Sequence, residues 1–157
     1  GVAAAMTKSN VLDKQKNVAW IMEPVDYIRH VYDTILEGHQ KFDLIMTHNL
    51  QMLEFTNNSI YIPANAISVD TESTFTSHEK KKMCSMIYSD KKSLIGHKLR
   101  YDIVDLVKSV GGNVDFFGTG TGTRIDRKSE GLNDYCFSIS VENSASSGYF
   151  TEKLLDC

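Results

Sequence analysis

The chain is poor in the residues that staple small folds or end their elements. Among 157 residues there are three cysteines and two prolines. Cys84, Cys136 and Cys157 are odd in number and include no Cys-x-x-Cys pair and no histidine at ligand spacing. Neither a disulfide framework nor a zinc site is therefore supported. Cys84 and Cys136 lie inside apolar runs and are expected to act as small buried hydrophobes. No run of eighteen apolar residues exists, so no helical membrane span is expected. Neither end of the chain is a basic arm, and the formal net charge is -3, so nucleic acid is not an expected partner. Lys80, Lys81 and Lys82 form a short cluster read as the solvated entry to a strand. The opening residues 1–6 are too short and lack the basic flank of a signal peptide. The chain also does not begin with Met, which points to a longer reading frame. With no signal or anchor visible, the compartment is open and the visible residues favour the cytoplasm.

What is present is an ordinary core-forming composition, 41% apolar and 24% charged, with two successive series of strands and helices. In the first, residues 17–22 read as a buried strand and Glu23-Pro24 breaks it. Pro24 suits the first turn of a helix carrying Ile28, Val31, Tyr32, Ile35 and Leu36, which Gly38 ends. A strand over 42–48, a short helix over 49–55 and a strand over 59–63 follow. Residues 64–80 are polar and rich in Ser and Thr, the best candidate for a linker. The second series opens with a strand over 83–89. A helix with the apolar stripe Ile95, Leu99, Ile103, Leu106 and Val110 comes next, stopped by Gly111-Gly112. Strands over 114–118 and 135–142 follow, then a helix starting near Tyr149 that the chain leaves unfinished. Continuous apolar strands alternating with helices predict α/β structure with parallel sheets covered on both faces. A second series of three strands is a half-sheet with an open edge. That edge and the short last helix predict a piece from the middle of a longer protein.

Two stretches bear on chemistry. Gly118, Gly120 and Gly122 follow a strand, as phosphate-binding glycines do. The residues after them carry no apolar helical stripe, so a dinucleotide fingerprint is rejected in favour of a flexible surface loop. The closing stretch is more specific. Glu142, Asn143 and Ser144 leave the end of a strand, where parallel α/β sheets bind ligands. Tyr149, Glu152 and Lys153 stand at the expected helix start, where free N–H groups favour an anion. A carboxylate for ribose hydroxyls and cations for a diphosphate would suit a nucleotide sugar. Equally, Glu152 caps its helix and Lys153 is solvated. The five histidines, including His48 near a strand end and His97 beside Arg100, show no ligand spacing and read as structural or solvated.

The same stretch resembles the donor-binding motif of the α-1,3-fucosyltransferases of glycosyltransferase family 10. It does so through Tyr135, Phe137, Glu142, Asn143, Ser144, Tyr149, Thr151, Glu152 and Lys153 at matching spacing. The likeness extends over roughly residues 17–157. A strand ending in Ser89 leads to Arg100 across a gap longer than in many members. The strand over 114–118 ends in Gly, and Lys128 precedes the Tyr-x-Phe strand. Glu23 matches a strand-end glutamate, with Pro24 in place of the more usual Asn or Ser.

The resemblance implies two Rossmann-like domains of the GT-B glycosyltransferase type. Residues 1–80 would be a partial acceptor-side domain with its linker, and 81–157 a partial, truncated GDP-sugar-binding domain. It implies transfer of fucose from GDP-fucose to a glycan hydroxyl with inversion, needing one base and no covalent nucleophile. Glu23 is the implied base. Arg100 and Lys153 are the implied cations for the leaving diphosphate. Glu152 would take the ribose hydroxyls, Tyr149 the nucleotide, and Glu142 and Asn143 the loop and the fucose side. No Asp-x-Asp pair is present to hold a metal between phosphates, so neither metal nor cofactor is expected beyond the donor itself. The fragment alone is expected to be inactive. The alternatives are a nucleotide-sugar-binding module without catalysis and a transferase of a different sugar; likeness of fold does not fix a substrate.

Overall fold

The computed structural model describes residues 16–64, 69 and 76–157. The chain divides into two compact units. Residues 16–64 belong to the first, together with the later segment Ser146–Phe150; the remaining described residues form the second.

The first unit holds β1 (Val18–Trp20), α1 (Val25–Glu37), β2 (Leu44–Thr47), α2 (Leu50–Phe55) and β3 (Ser59–Tyr61). The three strands form a parallel sheet in the order β1-β2-β3. Pro24 is the residue before α1, where its missing N–H costs no helical bond. Ile28 departs from helical geometry and kinks the first turn. Asn49 caps α2 by accepting the N–H of Met52 at 2.8 Å. Ala19, Ile21 and Ile45 meet Ile28, Tyr32 and Ile35 of α1 and Met52 of α2 in the core. The opposite face differs from expectation. Val18, Trp20 and Ile60 lie in the open, so among the described residues this sheet is covered on one side only.

The second unit holds β4 (Lys82–Ile87), α3 (Ile95–Ser109), β5 (Asp115–Phe117), a 3-10 turn (Lys128–Gly131), β6 (Tyr135–Ser138) and α4 (Glu152–Asp156). Its strands are also parallel, in the order β5-β4-β6. At their amino ends Tyr135 donates to Asp115 at 2.6 Å and Lys82 donates to the same oxygen at 3.0 Å. One residue from each strand thus fixes the register. The core is small, with Met86, Tyr88 and Val104 at its centre.

Three expectations change here. The stripe Ile95, Leu99, Leu106 and Val110 lies on the exposed side of α3. The buried side carries Gly96, His97, Arg100 and Val104, because the two polar side chains find partners inside. The last helix starts at Glu152 rather than near Tyr149, with Thr151 as its cap. Cys136 is exposed, as is its neighbour Phe137 on the edge strand β6, and Cys84 is half-buried.

Candidate functional site

In the second unit a hollow of about 460 Å³ opens beyond the carboxyl ends of the strands. Ile87 to Ser89 line it after β4, Gly118 and Thr119 after β5, and Ser138 to Val141 after β6. The chain leaves central β4 for β5 on one side and returns as β6 on the other. Such a reversal opens a crevice between neighbouring strand ends. The glycine loop beside it is largely exposed and is tied by several hydrogen bonds. Gly118 donates to Thr123 at 2.8 Å, Gly120 to Tyr88 at 3.2 Å, and Thr119 to Asp90 at 3.0 Å.

The buried side of α3 supplies one wall. Gly96 lies so close to Glu142 and Asn143 that an added Cβ would strike their backbone, and its N–H donates to the Asn143 carbonyl at 3.1 Å. Three residues apart on the same face, His97 and Arg100 are both nearly fully buried. Arg100 donates through Nε to the Val141 carbonyl at 3.2 Å and through Nη2 to Asn143 Oδ1 at 2.7 Å. It lines the hollow, yet its fork also clasps the segment that follows β6. Nδ1 of His97 accepts the N–H of Leu94 at 3.2 Å, capping the helix. Burial, then the charges of Arg100 and Lys91, push the imidazole below its usual 6.5 and keep it neutral.

The other wall comes from the closing stretch. Glu142 accepts the Thr151 N–H at 2.7 Å and the Thr151 hydroxyl at 2.8 Å. The anion at the start of α4 is therefore the chain's own carboxylate, and a five-residue helix has little dipole to offer another. Lys153 Nζ donates to Thr151 Oγ1 at 2.8 Å and stands 3.3 Å from Glu152 and 3.6 Å from Glu142. Lys128 bridges Glu152 at 3.3 Å and Asp156 at 2.7 Å. Burial alone would raise the Glu152 carboxyl, but Lys153 and Lys128 outweigh it and hold it below its usual 4.5. Lys91, Arg100, Lys128 and Lys153 face Asp126, Glu152 and Asp156 around the hollow. This is a nearly balanced set, four cations against three carboxylates.

Of the seven residues singled out in the sequence, Arg100, Asn143, Glu152 and Lys153 line the hollow. Glu142 does not line it and acts behind Thr151 and Lys153. Tyr149 is absent from the lining. It belongs to the segment grouped with the first unit, where its ring packs on His48 at a centroid distance of 4.9 Å. Glu23 also lies in the first unit, half-buried after β1. Its backbone carbonyl accepts the Tyr32 hydroxyl at 3.0 Å, and that hydroxyl stands 3.3 Å from Nε2 of buried His48. Burial holds the His48 ring below 6.5.

Sequence reasoning read His97 as structural or solvated and did not single out Asp156 or the ion pairs of Lys128. His97 was findable, three residues before Arg100 and hence on its face of the helix. Asp156, one turn after Glu152, was not, because its partner Lys128 comes from a segment 28 residues earlier. Among the described residues no group of three or more His, Cys, Asp or Glu side chains is placed to hold a metal ion, and no helix is long and apolar enough to cross a membrane. In comparisons with known proteins, no family model, no curated protein and no solved structure matches the chain.

Proposed function

We propose that the chain carries the donor half-site and the base of an inverting glycosyltransferase. The reading is transfer of fucose from GDP-fucose to a hydroxyl of a glycan, of the α-1,3/1,4-fucosyltransferase type, on two Rossmann-like halves of the GT-B kind. The observation that carries it is the meeting of Arg100, Asn143, Glu152, Lys153 and Lys128 around one hollow at the strand ends of β4 and β6. Cations there meet the charge that grows on the departing diphosphate. Glu152 accepts from paired ribose hydroxyls. Glu23 takes the proton of the acceptor hydroxyl as the sugar–phosphate bond breaks on the opposite face, which inverts the sugar carbon. Glu142 holds the cap of α4 rather than the sugar.

The test is a calorimetric titration with GDP, GDP-fucose, GDP-mannose, UDP-glucose and ADP-glucose, followed by assay for transfer. GDP-fucose should bind at least about tenfold more tightly than the uridine and adenine sugars, a difference near 1.4 kcal/mol. Equal binding of all five would leave a transferase of another sugar, and no binding at millimolar nucleotide would sink the donor site. A second reading, a nucleotide-sugar-binding module without transfer, is favoured by one observation: Lys128 and Lys153 are already paired with carboxylates. Glu23→Gln separates the two readings. In a longer form of the protein that carries out transfer, it should abolish transfer and leave GDP-fucose binding intact; unchanged transfer rejects Glu23 as the base.

A further inference from the structure

We propose that α3 is a self-association surface: two copies of the chain pair through this helix, antiparallel, about a two-fold axis. Along α3 and its C-cap, Ile95 is 68%, Leu99 47%, Leu106 63% and Val110 70% exposed. The four fall within about 60° of one another around the helix axis. They form a seam beside the buried side that carries His97, Arg100 and Val104. Large apolar residues exposed singly are ordinary, whereas a seam running the length of a 15-residue helix is what a partner helix covers. The order of residues along the seam identifies the partner. Ile95 and Val110 are equally far from its midpoint, and so are Leu99 and Leu106. A second copy running the opposite way therefore sets Ile95 against Val110 and Leu99 against Leu106, each contact occurring twice. Charge fixes the direction. Lys98 and Asp105, both exposed, lie two turns apart on one flank of the seam. In an antiparallel pair these flanks face each other, and each Lys98 meets Asp105 of the second copy. A parallel pair would put the two flanks on opposite sides and leave the charges unmatched. Exposed Asp102 interrupts the seam near its centre and there meets its own copy, which weakens the pair and keeps it reversible. The helix spans about 22 Å, so the interface is at the small end for specific complexes and the dimer needs high protein concentration. None of the four seam residues lines the hollow, so the proposal stands apart from what the hollow binds.

Sedimentation equilibrium of the chain from about 10 µM to about 1 mM tests the pairing. Wild type should show a monomer–dimer equilibrium and no larger species, because a two-fold contact closes on itself. Leu99→Lys should weaken the dimer at least about tenfold. Asp102→Leu should tighten it about tenfold by completing the seam and removing the like pair. Lys98→Asp and Asp105→Lys should each weaken it at least about threefold, since each sets like charges together twice. A chain carrying both changes should regain wild-type association, because the swap restores every pair. An equimolar mixture of the two single variants should form mixed dimers more readily than either variant pairs with itself. All of these side chains are exposed, and far-ultraviolet circular dichroism should be unchanged throughout the series. A wild-type chain that stays monomeric at about 1 mM overturns the proposal and leaves the seam to a different partner. A dimer untouched by Leu99→Lys also overturns it, since association then uses another surface. So does a double variant as weak as the single ones, which would rule out the antiparallel match of Lys98 with Asp105.

Discussion

Gly96 stands against the backbone of Glu142 so closely that no side chain fits between them. The neighbour is main chain, which cannot swing aside as a flexible side chain would. This contact brings the first turn of α3 onto the segment leaving β6, and so sets His97 and Arg100 against Asn143. Gly96→Ala should cost about 3 kcal/mol, at the upper end of overpacking penalties, with a matching loss of GDP affinity. Urea denaturation monitored by circular dichroism measures the first, calorimetry the second. A variant with wild-type midpoint and affinity would show that the two segments are not held in contact.

The bond from Thr151 to Glu142 predicts a local effect rather than a global one. Glu142 accepts both the N–H and the hydroxyl of Thr151 and lies 3.6 Å from Lys153. Replacing it with Ala removes an ionised acceptor from a half-buried cap, worth about 1–3 kcal/mol. Because α4 has five residues, that loss should melt it. Amide hydrogen exchange at residues 152–156 should speed up at least about tenfold in Glu142→Ala, while β4 and α3 keep their protection. Uniform acceleration across the second unit would mean that Glu142 supports the whole unit and not its last helix.

How far the sequence disclosed this arrangement depends on what each feature rests upon. The parallel strands were legible because their apolar runs are continuous and the elements alternate. The inner face of α3 was not, because pattern reading assigns Leu99 and Leu106 inward and Arg100 outward. Arg100 is buried through bonds to Val141 and Asn143, partners some forty residues away that periodicity cannot see. The start of α4 was misplaced for a related reason. Tyr149 looks like a first-turn residue, but Thr151 competes as the cap and wins through Glu142. Arg100 and Lys153, the two cations expected at the site, do line it, whereas the bonds of Arg100 to Val141 and Asn143 and the pairing of Lys128 with Asp156 are products of tertiary structure. Glu23 was joined to the hollow by resemblance alone and Tyr149 also by its expected place at the start of the last helix; neither is among the residues that line it.

Acid should weaken the fold before it reaches the carboxylates. His48 and His97 are each held below 6.5, chiefly by burial. As pH falls through 6.5 the unfolded chain binds these two protons first, so the proton count favours unfolding. Stability contributed by the two neutral rings is complete above that pH and shrinks below it, until the folded-state values are passed. Glu152, held below 4.5, adds a further loss at lower pH. The urea midpoint should be flat between pH 8 and 7 and should fall between 7 and 5. The fall should be shallower in His97→Asn. A midpoint that stays constant from 7 to 5 would show that neither ring is buried neutral.

The paired charges of the hollow make one prediction with two directions. Lys128 and Lys153 share the Oε1 atom of Glu152, each at 3.3 Å. A diphosphate entering the hollow competes with that carboxylate for both ammonium groups. Glu152→Gln keeps the size of the side chain and removes the competing charge. Inorganic pyrophosphate should then bind about three- to tenfold more tightly, a gain of roughly 0.7–1.4 kcal/mol. The same change weakens acceptance from ribose hydroxyls, because a neutral amide oxygen is a poorer acceptor than a carboxylate. Guanosine, which carries ribose and no phosphate, should therefore bind more weakly in the same variant. Lys153→Met should instead reduce pyrophosphate binding about tenfold and leave guanosine unaffected. Titrating both ligands into the three proteins at fixed ionic strength separates these effects, since screening alters pyrophosphate and not guanosine. If pyrophosphate affinity falls in Glu152→Gln, the carboxylate is organising the lysines for the ligand rather than competing with it. The charge balance of the hollow is then a preformed cradle and not a set of bonds that binding has to break.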